Sequence, residues 1–133
     1  MNEFGLHVTI DASGCNREKL TSQELVYDIL NELPSKICMT KMTLPYVCKW
    51  LDKFSQGTPG FSGFIMIAES HISIHTFHDQ NYVFVDVFSC RNFDANKAVK
   101  YILDSFEAKR AEKHLIKRGI DFPQKVYAEA LEA

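Results

Sequence analysis

Three segments of this chain place an aliphatic residue at every second position. Leu6, Val8 and Ile10 interleave with His7, Thr9 and Asp11. Ile72 and Ile74 interleave with His71, Ser73 and His75, and Val83, Val85 and Val87 with Phe84, Asp86 and Phe88. A period of two sends successive side chains to opposite faces of a strand, so each segment has one apolar side. The pattern calls for a sheet with one face to bury and for amphipathic elements to cover it. Two stretches fit that task. From Ser22 to Leu33 the apolar positions Leu25, Val26, Ile29, Leu30 and Leu33 recur at helical spacing, with Pro34 expected as the stop. Asp94 to Ala108 reads as a second helix, with Asp94 as N-cap and Ala98, Ile102 and Phe106 on one stripe.

The remaining segments fill in the sheet. Ile37 to Val47, rich in β-branched and sulfur residues, predicts one further strand, Phe61 to Ala68 another, and His114 to Lys117 a short last one. Ser13-Gly14 with Asn16 reads as a turn, Gln56 to Gly60 as a loop, and His78 to Asn81 as a polar link. The tail from Gln124 reads as a helical extension or a disordered end. The order β-α-β-β-β-β-α-β, with strands in runs, predicts an α+β fold: an antiparallel sheet with two helices packed on one face. At 133 residues this is one domain, 1–133. A chain so short buries a modest share of its surface, which favours self-association.

Composition narrows the partners. Seventeen acidic against fifteen basic residues leave no basic field for nucleic acid. The run Phe64 to Ala68 is too short to cross a bilayer, and Met1-Asn2-Glu3-Phe4 lacks the pattern of a signal peptide. Cysteines at 15, 38, 48 and 90 show neither CxxC pairs nor the spacing of a disulfide framework. A cytoplasmic protein acting on a small molecule, without nucleic-acid or membrane partners, is the expectation.

The second face of the sheet carries His7, Thr9 and Asp11, then His71, Ser73, His75 and Phe77, then Phe84, Asp86, Phe88 and Cys90. Parity alone leaves two readings open: a solvated face with scattered aromatics, or an active-site floor pressed against a second layer. Zinc is disfavoured, because His71 and His75 on one strand stand ~13 Å apart, too far for one ion, and no metal is expected. A serine hydrolase built from Ser70, His75 and Asp86 lacks the G-x-S-x-G elbow that would expose its nucleophile. A further set is a serine after an acidic residue, an imidazole and a thiol: Glu69-Ser70, His75 and Cys90. That set suits a chain that attacks its own backbone.

Gly60-Phe61-Ser62-Gly63, the stretch from Ile67 through Glu69-Ser70-His71 and Ser73-Ile74-His75-Thr76 to Phe77, and Asp86-Val87-Phe88-Ser89-Cys90 together resemble one family's processing region. It is that of the prokaryotic S-adenosylmethionine decarboxylase proenzymes, which read G-V-S-G-x-x-x-I-x-E-S-H-x-S-I-H-T-W-P-E and then D-V-F-T-C. Gly5-Leu6-His7-Val8, Gly14-Cys15 and Lys117-Arg118-Gly119 are similar to the family's opening and end. The resemblance implies a pyruvoyl group, self-generated from Ser70 after the chain breaks between Glu69 and Ser70. A β subunit of residues 1–69 and an α subunit of residues 70–133 would result. It further implies that His75 and Ser62 assist processing, that Cys90 returns a proton to the substrate carbon, and that the pyruvoyl carbonyl forms a Schiff base with the substrate amine. A dimer of cleaved protomers would complete the site. Phe54, Phe77 and Asp79 match the family's nucleoside-binding region with departures. His75-Thr76-Phe77-His78-Asp79 stands for H-T-W-P-E, and two extra residues lie between Phe54 and Ser62. These departures keep a second substrate class in view, ornithine or arginine, and a processing-dead binding subunit is the third reading.

Overall fold

The alternating segments become strands in a computed structural model of the protein, which describes residues 5–50 and 60–123. β1 (Gly5–Ser13), β4 (Gly60–Ala68), β5 (Ser70–Phe77) and β6 (Tyr82–Ser89) form the centre of the sheet. Each buries alternate residues, as the period of two requires. β7 (Arg110–Arg118) joins β1 at one edge, and β2 (Thr40–Lys41) and β3 (Tyr46–Trp50) both pair with β4 at the other. The order is β2-β4-β5-β6-β1-β7, and every pairing is antiparallel. Among the described residues, α1 (Arg17–Leu20), α2 (Gln23–Lys36) and α3 (Ala95–Phe106) are the helices, with a 3-10 turn at His78–Gln80.

The covering helices bury the stripes their spacing predicts: Val26, Ile29, Leu30 and Leu33 from α2, and Ala98, Val99, Ile102 and Phe106 from α3. These meet Val8, Ile10, Ile65, Ile67, Ile72, Ile74, Val83, Val85 and Val87 in one core. Each fully buried Leu, Ile or Val contributes about 1.5–3 kcal/mol relative to exposure. Gly63 lets α2 approach closely, since a Cβ there would stand 2.6 Å from Leu30 Cδ1. Asp94 caps α3, its Oδ1 accepting from Lys97 N–H at 3.1 Å. The α+β architecture read from the sequence is the one observed.

Local details differ from the expectation. Pro34 does not stop α2; it lies in the last turn and the helix runs on to Lys36. Only one backbone bond is lost at a proline so placed, and the Leu33, Pro34 and Ser35 carbonyls still accept from the Ile37 and Cys38 N–H groups. The strand expected over 37–47 splits into β2 and β3, because Ile37 caps the helix, Cys38 takes a left-handed φ of 61° and Pro45 interrupts the ladder. Asn16 caps α1, where only a turn was expected. Gly60 opens β4, while most of the expected loop before it falls outside the described residues. The last strand covers nine residues and is exposed on both faces, which hides it from a reading based on burial. Among the described residues, no helix is long and apolar enough to cross a membrane.

Candidate active site

β4 and β5 are consecutive antiparallel strands joined through Glu69 alone. β6 runs back beside β5 with Ser89 opposite Ser70, so the residue after β6 emerges at that junction. This is Cys90. Its Sγ lies 3.1 Å from Ser70 Oγ, and its backbone N–H donates to the Glu69 carbonyl at 2.8 Å. The carbonyl next to the Ser70 hydroxyl is therefore already polarised by a donor, which is the arrangement that stabilises negative charge on an attacked carbonyl oxygen. Hydroxyl, electrophile and thiol converge on one peptide.

Ser62 and His75 form a second pair. They face each other across β4 and β5, with Ser62 Oγ 2.9 Å from His75 Nδ1, and His75 is exposed. This pair does not meet the first. Ser70 and His75 are five residues apart on one strand, about 16 Å at ~3.3 Å per residue, and on opposite parities. Within one chain, then, the four residues singled out by sequence form two pairs at opposite ends of the sheet.

Between the pairs lies the uncovered face. His7 Nε2 stands 3.1 Å from Asp86 Oδ1, and Ser73 Oγ donates to Asp86 Oδ2 at 3.2 Å. His71 stacks on Phe64 with centroids 5.5 Å apart and meets Phe88 edge-on. Loss of solvent, and then the neighbouring His7, hold the His71 imidazole below its ordinary value, so it is kept neutral. Arg118 lies over the Phe88 ring at 4.2 Å. Phe64, Met66, Phe84 and Ile116 remain substantially exposed on this face. Among the described residues, no three His, Cys, Asp or Glu side chains converge as metal ligands.

The substrate-binding expectations divide. Phe77 lines an apolar cavity of about 260 Å³ with Gln80, Tyr82 and Phe84, and Trp50 meets it edge-on at 5.9 Å. Asp79 does not line that cavity; its Oδ1 lies 3.2 Å from Arg17 Nη2 and 3.3 Å from His78 Nε2. Phe54 lies outside the described residues. Tyr82, Gln80 and Trp50 were not singled out from the sequence. Tyr82 pairs with Phe77 across β5 and β6, so parity carried that signal; Trp50 belongs to a strand whose limits were misread.

Known proteins fix the family. The family model described as S-adenosylmethionine decarboxylase matches residues 6–119. The chain belongs to the S-adenosylmethionine decarboxylase family. Two relatives named S-adenosylmethionine decarboxylase proenzyme illustrate the distance. The one from Pyrococcus furiosus is 34% identical over 122 residues, covering 91% of this chain and 83% of that protein. The one from Clostridium botulinum strain Langeland is 37% identical over 120 residues, covering 90% of this chain and 97% of that protein. The crystal structure of the adenosylmethionine decarboxylase from Aquifex aeolicus VF5 superposes with a TM-score of 0.77 at 28% identity, covering 90% of this chain and 94% of that one. Membership makes this protein a decarboxylase by family.

Proposed function

We propose that the protein is a pyruvoyl-dependent decarboxylase of polyamine biosynthesis that acts on S-adenosylmethionine, with the pyruvoyl group made from its own Ser70. The observation that carries this reading is the Glu69–Ser70–Cys90 contact: hydroxyl and thiol 3.1 Å apart, with the Cys90 N–H on the Glu69 carbonyl at 2.8 Å. The donor set suits the group. Ser70 Oγ attacks the Glu69 carbonyl carbon, the oxygen gains charge against the Cys90 N–H, and the Glu69–Ser70 amide becomes an ester as its nitrogen takes up a proton. Loss of the Ser70 α-proton expels the Glu69 carboxylate and leaves dehydroalanine. Hydrolysis of that residue releases ammonia and leaves the pyruvoyl cap at position 70, splitting the single domain 1–133 into subunits 1–69 and 70–133.

That cap supplies an electron sink for the bond between the substrate's α-carbon and its carboxylate. The chain's own residues do the rest. Cys90 Sγ holds a proton beside position 70 and returns it to the substrate carbon. Ser62 and His75, hydrogen-bonded to each other, form the proton-handling pair for processing. Because they lie about 16 Å from Ser70 on the same strand, a second copy must bring its own pair. Two uncovered sheet faces packed in opposite directions set the Ser62–His75 end of one protomer against the Ser70–Cys90 end of its partner. Such packing also covers Phe64, Met66 and Phe84, and it makes the working enzyme a dimer. A cytoplasmic location belongs to the same reading.

One observation keeps a second substrate class in view. Asp79, the acid expected to hold a ribose, is paired instead with Arg17 at 3.2 Å. A nucleoside pocket that has lost its ribose partner beside an intact catalytic set is what a switch to a free amino acid, ornithine or arginine, would leave. Carbon dioxide release from adenosylmethionine, ornithine and arginine, assayed side by side, decides between them. Intact mass of the purified protein tests the common mechanism. The expected result is two fragments split between Glu69 and Ser70, with the 70–133 fragment gaining mass on hydrazine treatment. Active material consisting only of the uncut 15.2 kDa chain would overturn it.

A further inference from the structure

Ser89 is the last residue of β6 and is completely buried, yet it is polar. Its hydroxyl accepts the Arg91 N–H at 3.0 Å and donates to Met39 Sδ at 3.4 Å. A serine that binds the N–H two residues on closes a tight local turn, and that turn bends the chain out of the strand at the residue between them. The enclosed residue is Cys90. Met39 is itself fixed, being buried and donating its N–H to the Pro34 carbonyl at 2.8 Å. A continuous line of contacts thus runs from the last turn of α2 through Met39 to the Ser89 hydroxyl, and from there to the peptide that carries Cys90. β1 closes the other side: a Cβ on Gly5 would stand 2.6 Å from the Ser89 carbonyl oxygen and 3.3 Å from Cys90 Cα.

We infer that Ser89 is a positioning residue for self-processing: its buried hydroxyl sets the turn that aims the Cys90 N–H at the Glu69 carbonyl and the Cys90 thiol at Ser70. Both Cys90 contacts depend on the orientation of the peptides on either side of it. Removing the Ser89 oxygen leaves the Arg91 N–H without its acceptor and frees those peptides to rotate. The hydrogen bond to Glu69 is then lost as the carbonyl is attacked, when it is most needed. A hydroxyl is required because one small, fully buried group must accept from a backbone N–H and donate to sulfur. Threonine meets both requirements; alanine meets neither, and cysteine keeps the size with a much weaker acceptor. Ser89 touches no reacting atom and acts through Cys90.

The inference rests on the proposed self-cleavage, and the test separates the two. Freshly purified precursors of the parent, Ser89→Ala, Ser89→Cys and Ser89→Thr are followed at one temperature well below their melting points, reading the appearance of the 1–69 and 70–133 fragments. A parent that never cleaves sinks the proposed function itself. With a cleaving parent, Ser89→Ala and Ser89→Cys are expected to slow cleavage at least tenfold, about 1.4 kcal/mol in barrier, while Ser89→Thr recovers most of the rate. Hydroxylamine, which cuts an accumulated ester, is expected not to rescue the slow variants, because the impaired step is formation of that ester. If Ser89→Ala fails to fold, Ser89→Cys decides the matter. Parental cleavage rates in a folded Ser89→Cys variant, even with a lowered melting point, would reduce Ser89 to a packing residue and overturn the inference.

Discussion

Ser70 and Cys90 divide the chemistry of the candidate site between a side chain and a backbone group. Cys90 serves twice, with its thiol beside the Ser70 hydroxyl and its N–H on the Glu69 carbonyl. Substitution separates the two services. Cys90→Ala keeps the N–H and loses the thiol, so it should still split into two fragments while carbon dioxide release falls by about 10²–10⁴-fold, the range expected for losing a general acid. Ser70→Ala removes the attacking oxygen and should leave one uncut, inactive chain. Mass spectrometry of each variant, run beside a carbon dioxide assay, checks both statements. Normal turnover by Ser70→Ala would end the assignment. At this scale the sequence was informative about chemical identity and silent about distance. Nothing in Glu69-Ser70 or in Ser89-Cys90 announces that the Cys90 N–H points at the Glu69 carbonyl, because that contact depends on the register of two strands.

At the scale of elements, alternation did most of the work. β1, β5 and β6 were legible because one face of each is covered and the other is not, and a period of two leaves few other solutions. α2 and α3 were legible for the complementary reason, their apolar stripes recurring at helical spacing. Capping was equally visible: Asp94 holds the first turn of α3 through its bond to Lys97. Asp94→Ala should lower global stability by about 1 kcal/mol, within the 0.5–2 range for lost N-caps. Urea unfolding should show a reduced midpoint with an unchanged slope, and an unshifted midpoint would deny the cap its role. The failures share a cause. β2 and β3 are short edge strands, and β7 is exposed on both faces, so none has a burial pattern to read. Pro34 misled because a proline ends a helix only where the bonds it removes cannot be replaced.

The whole molecule raises a question that a single chain does not answer: where the Ser62–His75 pair acts, since its own Ser70 is about 16 Å away. The proposed dimer makes a specific forecast. Ser70→Ala and His75→Ala, each expected to process poorly alone, should complement when co-expressed. In the mixed dimer, the Ser70 of one chain meets the His75 of the other, and one of the two sites is whole. Up to half of the chains should cleave, all from the His75→Ala partner. No cleavage in a verified mixed dimer would place both pairs outside a shared site. A second forecast concerns alkaline pH. Cys15 is packed in the core, and burial pushes its thiol from about 9 up to about 11. Across that window the unfolded thiol has lost its proton while the folded one keeps it. Stability is therefore present below about pH 9 and falls as pH rises towards 11, by at most about 1.4 kcal/mol per pH unit for one group. Urea midpoints for the parent and for Cys15→Ala across that range should show the variant falling less steeply.

From its residues alone, the chain determined an antiparallel sheet with one buried face, two covering helices, and a serine, a thiol and an imidazole of one family's kind. These follow from periodicity and local composition, which act over a few residues at a time. Tertiary structure alone decided that Ser70 meets Cys90 while Ser62 meets His75, that Asp79 turns to Arg17, and that Ser89 is buried against Met39. Each of those facts joins residues from separate elements. Such pairings are selected by strand register and by the close approach of helix to sheet, where every contact competes with many others at once.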